Sequence, residues 1–179
     1  DGEVEPQESE MSMALATARG VLFVHSAPSS LCRHIDRTVG STVGHHVVLD
    51  WHEQPVLQGT FRAEFSWAGP PGAGRVLAAA LRGWEHVRFE VTEEASPGSD
   101  GARFMHTPDL GVFSAAMDTA GNTMVTEDRL KAALQEGRGD ARRIAQELRL
   151  AWGAAWDDEL EPFRYAGEDT GVVWFHQVG

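Results

Sequence analysis

The sequence predicts an α+β fold in which two helices cover one face of an antiparallel sheet. Strand-like and helix-like segments follow one another in the order β-α-β-β-α-β through residue 92. The first strand candidate, residues 19–26, contains an unbroken apolar run at 21–24, which is typical of a strand covered on both faces. This order is that of the ferredoxin-like βαββαβ sandwich, in which the first and third strands are central.

Each element of this core has its own pattern. After the first strand, Leu31, Ile35 and Val39 recur at four-residue spacing up to Gly40 and predict a helix. Residues 46–52 and 60–67 alternate apolar and polar side chains and predict an antiparallel pair of strands. The second helix carries one apolar stripe, and residues 86–92 alternate again as the fourth strand. The apolar stripe of the second helix consists of Val76, Leu77, Ala80, Leu81 and Trp84.

The second half predicts an α/β extension on this core. Residues 104–106 and 112–117 are strand candidates, and Thr126 is a helix cap followed by acidic residues. Residues 137–139 interrupt that helix, and a single longer helix is predicted from Asp140 to Pro162. Residues 172–175 form the last predicted strand. We therefore expect a disordered acidic leader (1–13), a ferredoxin-like core (14–95), a linker (96–101) and a C-terminal extension packed on the core (102–179).

Composition narrows the class of protein. The 179 residues carry a net charge of -12 and are 42% hydrophobic, which indicates a soluble acidic protein that repels nucleic acid. Cys32 is the one cysteine and cannot form an internal disulfide, so the sequence predicts a cytoplasmic protein. No apolar run is long enough for a membrane helix, and no membrane insertion is expected.

Three strings in the sequence resemble an actinobacterial family of unknown function, DUF3145. They are AWDDELEPFRYAG at residues 155–167, RGVLFVHS at 19–26 and LRGW at 81–84. The resemblance covers residues 13–179. It carries no assigned catalytic or binding residue, and it implies an association with fatty-acid synthesis as one candidate role.

Several polar residues are candidates for a ligand or metal site. His46, Asp50 and His52 share one face of a predicted strand, and His25 ends the first strand. Asp157 and Glu161 lie one helical turn apart in an acidic cluster. Each has a plainer interpretation, as a hydrogen-bonded histidine or a solvated helix face with Arg164 as counter-charge. No nucleophile elbow or phosphate loop is present, so we expect no cofactor and no catalytic residue.

The sheet face opposite the two helices is predicted to be semi-polar, because it carries Arg62, Glu64, Arg88 and Glu90. This face could meet solvent, a partner or a ligand, or could lie beneath the C-terminal segment. A helix carrying Trp152 and Trp156 that docked there would bury its indole rings.

Three hypotheses for function remain open. The first is an accessory or regulatory protein that binds a protein partner through an exposed sheet edge or through the segment with Trp152, Trp156 and Phe163, with a fatty-acid synthesis component as one candidate. The second is a module that binds an acyl or aromatic ligand, since six tryptophans could line a cavity as well as fill a core. The third and least supported is an enzyme of unknown reaction. A homodimer is compatible with the first two.

Overall fold

The central strand is β1 (Ala18–Pro28), which pairs antiparallel with β3 (Thr60–Gly69) on one side and β4 (Arg88–Glu93) on the other. A computed structural model of the chain describes residues 17–166. The interior position of β1 confirms the prediction made from the apolar run at 21–24. Leu22 and Val24 point to one face of the sheet and are fully buried, whereas Phe23 points to the other face.

Residues 17–166 form a six-stranded antiparallel open sheet and five helices, with the strand order β2-β3-β1-β4-β5-β6. The remaining strands are β2 (His52–Glu53), β5 (Gly101–Thr107) and β6 (Gly111–Met117). The helices are α1 (Ser29–Val43), α2 (Ala73–Leu81), α3 (Glu127–Gly137), α4 (Ala141–Ala151) and α5 (Ala154–Tyr165).

The main core lies between α1, α2 and one face of the sheet. Ile35 and Val39 of α1 and Leu77 and Leu81 of α2 are fully buried, as the four-residue apolar spacing predicted. They pack with the apolar side chains of the strands, chiefly Leu22, Val24, Ala63, Trp67, Phe89 and Val91. The second, smaller core lies on the opposite face, where Met105 of β5 and Phe113 of β6 pack against Leu160 of α5.

A β-bulge interrupts β1 close to its C-terminal end. Val24 faces Ala63 of β3 and Phe89 of β4, but the next matched pair with β4 is Ser26 with Arg88, so β1 holds one extra residue. His25 lies at this bulge and is 1% exposed. The bulge therefore sets the direction of a buried histidine.

The strand predicted over residues 46–52 is mostly absent, because only His52 and Glu53 form β2. Asp36 of α1 explains the difference. Its Oδ1 accepts a hydrogen bond from the Leu49 amide at 3.1 Å and from Trp51 Nε1 at 3.0 Å. Val47 and Leu49 are still buried in the main core, so the predicted alternation correctly gave their burial but not their hydrogen-bond partners.

The single helix predicted from Asp140 to Pro162 is two helices that break at Gly153. Gly153 has φ of 88°, a left-handed conformation that glycine adopts readily, and a Cβ there would lie 2.7 Å from Met105 Cε and 2.8 Å from Phe113. Asp140 caps α4 through its Oδ1, which accepts from Arg142 and Arg143 amides, and α5 continues past Pro162. The predicted interruption at 137–139 and the Thr126 cap are confirmed.

β5 pairs with β4, so the second half of the chain extends the sheet formed by the first half. The predicted linker at 96–101 is short and ordered, since Ser96 and Ser99 exchange two backbone hydrogen bonds of 2.9 Å and β5 begins at Gly101. The leader at 1–13 and the strand predicted at 172–175 lie outside the described residues.

Candidate functional site

Five ionisable side chains meet between the sheet and α5, and we call them the Glu90 network. Glu90 on β4 is at the centre, and its side chain is 7% exposed. The other members come from three elements: His25 on β1, Arg103 on β5, and Asp157 and Arg164 on α5. Strand alternation places Glu90 and Arg103 on the face opposite α1 and α2, where α5 packs.

Glu90 accepts hydrogen bonds from three cationic or ionisable groups. His25 Nε2 lies 2.8 Å from Glu90 Oε2, and Arg164 Nε donates to the same oxygen at 3.0 Å. Arg103 Nη2 donates to Oε1 at 3.1 Å, and Arg164 Nη2 also donates to Oε1. The carboxylate is thus satisfied on both oxygens, which is the condition for burying a charge in a protein interior.

Asp157 completes the network from α5. Its Oδ1 accepts from Arg103 Nη2 at 2.5 Å and from Arg164 Nη2 at 2.9 Å. The two carboxylates and the two guanidinium groups of the network therefore balance in charge. Arg103 and Arg164 each bridge the two carboxylates, and this joins the last helix to the middle of the sheet.

Burial and the partners of Glu90 shift its pKa in opposite directions. Burial alone raises the pKa, but the hydrogen bonds and charges of His25 and Arg164 outweigh it, so the pKa lies well below the ordinary value of 4.5. Burial likewise lowers the pKa of Arg164, and the hydrogen bonds to Glu90 and Asp157 more than reverse this. Glu90 is ionised at neutral pH, so His25 Nε2 is the donor in their hydrogen bond.

His25 also lines a cavity of about 290 Å³ on this face of the sheet, which we call the His25 cavity. Buried His25 and Arg62 form part of its wall, with Phe163 of α5 as the aromatic component. Its other polar side chains are Asp50, His52, Glu64 and Ser66. His52 Nε2 lies 3.1 Å from Asp50 Oδ2, and both of these residues are exposed.

The structure separates some of the sequence-predicted ligand candidates. His25, Asp50 and His52 line the same cavity, and Asp157 joins the Glu90 network beside it. His46 lines a different cavity next to α1, and Glu161 is exposed. Among residues 17–166, no group of three or more His, Cys, Asp or Glu side chains is placed to hold a metal ion.

The three residues predicted to bind a partner differ in exposure. Trp156 packs on Phe113 with ring centroids 5.2 Å apart, and its Nε1 donates to Gly111 O at 2.9 Å. Phe163 is 8% exposed and lies under the guanidinium of Arg88, 4.7 Å from ring centroid to Cζ. Trp152 is 41% exposed, so it is the member of the three that presents most of its side chain to a partner.

The sequence did not identify Arg103 or Arg164 as partners of Glu90. One signal was present: Asp157 and Arg164 are seven residues apart, which places them two turns apart on one helical face. The charged residues on alternate positions of the predicted fourth strand were a second signal, since they require partners if a helix covers that face.

The family described as protein of unknown function (DUF3145) matches residues 21–177. The chain belongs to DUF3145. The match includes β1, the Glu90 network and α5, so the site described above lies entirely within the region that defines the family. No curated protein and no solved structure matches this DUF3145 chain.

None of the helices within residues 17–166 has both the length and the apolar character needed to cross a membrane.

Proposed function

We propose that this chain is a binding module for a small ligand, which it holds in the His25 cavity. One observation carries the proposal: His25 on β1 and the ligand candidates Asp50 and His52, which come from a later part of the chain, line a single cavity with buried Arg62. Ligand sites combine a concave apolar surface with a few converging polar groups, and the lining of the His25 cavity has this composition.

The lining favours a ligand that carries both charges and an aromatic part. Arg62 supplies positive charge for a carboxylate, and Asp50 and Glu64 supply negative charge for an ammonium group. Phe163 offers a ring for an aromatic body. The volume of about 290 Å³ is at the small end for ligand pockets, so the ligand has the size of an amino acid.

Three related probes test this chemistry. L-Phenylalanine has both charges, phenylacetate keeps only the carboxylate, and phenethylamine keeps only the ammonium. We expect L-phenylalanine to raise the melting temperature most. At equal concentration, the ligand that binds the folded state most tightly and does not bind the unfolded state stabilises the fold most. The shifts are measured by differential scanning fluorimetry and the affinities by isothermal titration calorimetry.

Two tryptophan substitutions on β3 provide the matched pair. Ser66→Trp fills the cavity from its wall, whereas Ala68→Trp adds the same ring at an exposed position two residues further along the same strand face. The proposal requires Ser66→Trp to abolish the shift and Ala68→Trp to retain it. The proposal would be contradicted if no probe raised the melting temperature, or if both variants lost the ligand-induced rise to the same extent.

A second candidate function is an accessory protein that acts through a protein partner. It is favoured by the exposed apolar side chains of the α3 and α4 region, which are Leu130, Leu134, Leu150 and Trp152. The same region, residues 127–151, has six basic and five acidic side chains in a chain of net charge -12. An acidic partner complements this local excess of basic charge.

The proposed link with fatty-acid synthesis makes purified acyl carrier protein the probe for this second function. We expect Trp152→Ala and Leu134→Ala to weaken its binding in surface plasmon resonance, whereas Val56→Ala, another exposed apolar side chain outside this region, leaves it unchanged. Sedimentation of the free chain tests the homodimer alternative. Unchanged binding in the first two variants would remove this surface from consideration.

We infer that β1 to β4 with α1 and α2 form a ferredoxin-like unit, and that the protein is an actinobacterial, cytoplasmic one. Support for the fold comes from the order β2-β3-β1-β4 and from the packing of both helices in one core with β1 and β4. Support for the compartment is the single free Cys32. The actinobacterial origin rests on the resemblance of the sequence strings.

A further inference from the structure

A second cavity lies on the opposite side of the molecule's main core, between α1 and residues 44–48. Its volume is about 730 Å³, which is within the range of cavities that hold small organic ligands. Arg33 and Arg37 line it from α1, and His45 and His46 line it from the following segment. All four side chains are exposed. We call these four residues the α1 basic cluster.

The α1 basic cluster carries more positive charge than the one carboxylate of this cavity can offset. Asp36 is the acidic residue of the lining, and its Oδ1 accepts from the Leu49 amide at 3.1 Å and from Trp51 Nε1 at 3.0 Å. Within residues 17–166, neither Arg33 nor Arg37 forms an ion pair with an acidic side chain. Two guanidinium groups thus line the cavity beside one carboxylate, and neither is paired with it.

The spacing of the two arginines makes this arrangement unfavourable for the helix alone. Residues i and i+4 are neighbours on a helix surface, and like charges there are destabilising. The chain as a whole is strongly acidic, with a net charge of -12, so acidic side chains were abundant as counter-charges. Within residues 17–166 no ion pair offsets this repulsion, and a local rule broken in this way is expected at a functional site.

We propose that the α1 basic cluster binds the phosphoryl group of a small soluble phosphate ester or diphosphate. Each guanidinium offers a planar fork of donors that fits phosphate oxygens, and two forks one helical turn apart match a ligand with more than one negative charge. His45 Nδ1 lies 3.2 Å from His46 O, and because a carbonyl oxygen only accepts, Nδ1 of His45 carries the proton of this hydrogen bond. The other ring nitrogen of His45, Nε2, is then the one that can contact a ligand. The site is separate from the His25 cavity and does not depend on the function proposed there.

Inorganic pyrophosphate is the probe, because it carries the phosphoryl charge without an organic part. We expect its binding to the full chain, measured by isothermal titration calorimetry at physiological ionic strength, to weaken about tenfold or more in Arg33→Glu/Arg37→Glu. Arg142→Glu/Arg143→Glu is the matched control, since it makes the same charge change at two exposed arginines of α4. Arg33→Gln/Arg37→Gln provides a milder variant should the charge reversal disturb folding.

Each outcome decides the proposal. Pyrophosphate binding that is lost in both Arg33/Arg37 variants and kept in the Arg142/Arg143 variant supports it. Equal loss in all variants means that net charge, not this cavity, attracts the anion, and absence of binding to the unaltered chain also overturns it. Vesicles containing phosphatidic acid form a second arm: binding to them alone, with the same variant pattern, assigns the phosphoryl group to a lipid headgroup instead of a soluble ester.

Discussion

Arg164 of α5 and Glu90 of β4, which are 74 residues apart in sequence, share two hydrogen bonds. Arg164 Nε donates to Glu90 Oε2 at 3.0 Å, and Nη2 donates to Oε1. Arg103 and Asp157 extend this pair into the Glu90 network, so the last described helix is fixed to the sheet by charges as well as by Leu160 and Phe163. The contacts that hold α5 on the sheet thus include a side chain supplied by the first half of the chain.

Replacing Glu90 by glutamine removes the negative charge and keeps the shape of the side chain. Arg103 and Arg164 would then share Asp157 as their carboxylate within the Glu90 network, leaving buried positive charge without full compensation. Breaking a buried ion pair from one side costs about 3–5 kcal/mol, and we expect Glu90→Gln to lower the free energy of unfolding by about 3 kcal/mol. Urea denaturation followed by circular dichroism measures it.

The control for this substitution is Glu64→Gln. Glu64 lies on the same face of the sheet, on β3, but it is exposed and therefore tolerates loss of charge. Its substitution should change the free energy of unfolding by less than about 0.5 kcal/mol. Similar effects of the two substitutions would show that the Glu90 network contributes nothing specific to stability.

The pH dependence of stability follows from the lowered pKa of Glu90. The pKa in the folded chain lies well below the ordinary value of 4.5, so the unfolded chain takes up a proton first as the pH falls. The stabilisation is therefore complete above about pH 4.5 and is lost progressively as the pH falls towards the folded pKa.

Urea titrations of the unaltered chain and of Glu90→Gln between neutral pH and the acid range measure this effect. The difference in unfolding free energy between them should be constant above about pH 4.5 and should shrink below it. A difference that stays constant into the acid range would mean that folding does not lower the pKa of Glu90.

Close packing of α3 on α4 gives a third prediction. Gly137 is buried, and a Cβ at this position would lie 2.2 Å from Cγ1 of Ile144 and 3.0 Å from the Ile144 backbone nitrogen. Because the backbone cannot give way easily, we expect Gly137→Ala to destabilise the α3–α4 pair by about 1–3 kcal/mol. Hydrogen exchange at the amides of α3 and α4 should rise accordingly.

Gly83→Ala is the control for that crowding. The nearest atom to a Cβ at Gly83 is Ala80 O at 3.7 Å, an ordinary contact, and the backbone there is not left-handed. This variant should leave hydrogen exchange in α3 and α4 unchanged. Protection in α3 and α4 that survives Gly137→Ala would show that the two helices can separate at this point without cost.

Local periodicity predicted most of the main core, although Val76 and Ala80 of the predicted second-helix stripe are exposed. The apolar spacing that placed Ile35, Val39, Leu77 and Leu81 on helix faces also gave their burial, because a 3.6-residue repeat fixes one face against the sheet. Residues 46–51 show the limit of this reasoning. Their alternation predicted burial correctly, but Asp36, distant in sequence, accepts the hydrogen bond of the Leu49 amide that a strand would have used, and it also accepts one from the side-chain Nε1 of Trp51.

The candidate site depended on tertiary relationships that no local pattern records. The break at Gly153 turns α5 onto the sheet, and a glycine within an apolar stripe does not by itself distinguish a helix interior from such a turn. Glu90 and Arg103 were visible as polar positions on strands, yet their pairing requires the register of β4 with β5 and the docking of α5. His25 and His52 likewise meet only across β3, which separates β1 from β2.

Trp156 provides the last prediction, which separates a packing role from a binding role. Its Nε1 donates to Gly111 O at 2.9 Å, and its ring packs on Phe113 at 5.2 Å. Trp156→Phe removes the hydrogen bond and should cost about 0.5–1.5 kcal/mol of unfolding free energy. Trp156→Ala also removes ring contacts and should cost about 2–3 kcal/mol, below the range for a fully buried ring because Trp156 is half-buried.

Trp152→Ala is the matched control, since Trp152 is 41% exposed. This substitution should change the free energy of unfolding by less than about 0.5 kcal/mol. Thermal and urea unfolding of Trp156→Phe, Trp156→Ala and Trp152→Ala show which substitution lowers the free energy of unfolding most. If Trp152→Ala were as costly as Trp156→Ala, the exposed indole would have a structural role. If the order holds, loss of partner binding in Trp156→Ala is ambiguous, because it can arise from a loosened α5, whereas loss in Trp152→Ala reports on the interface itself.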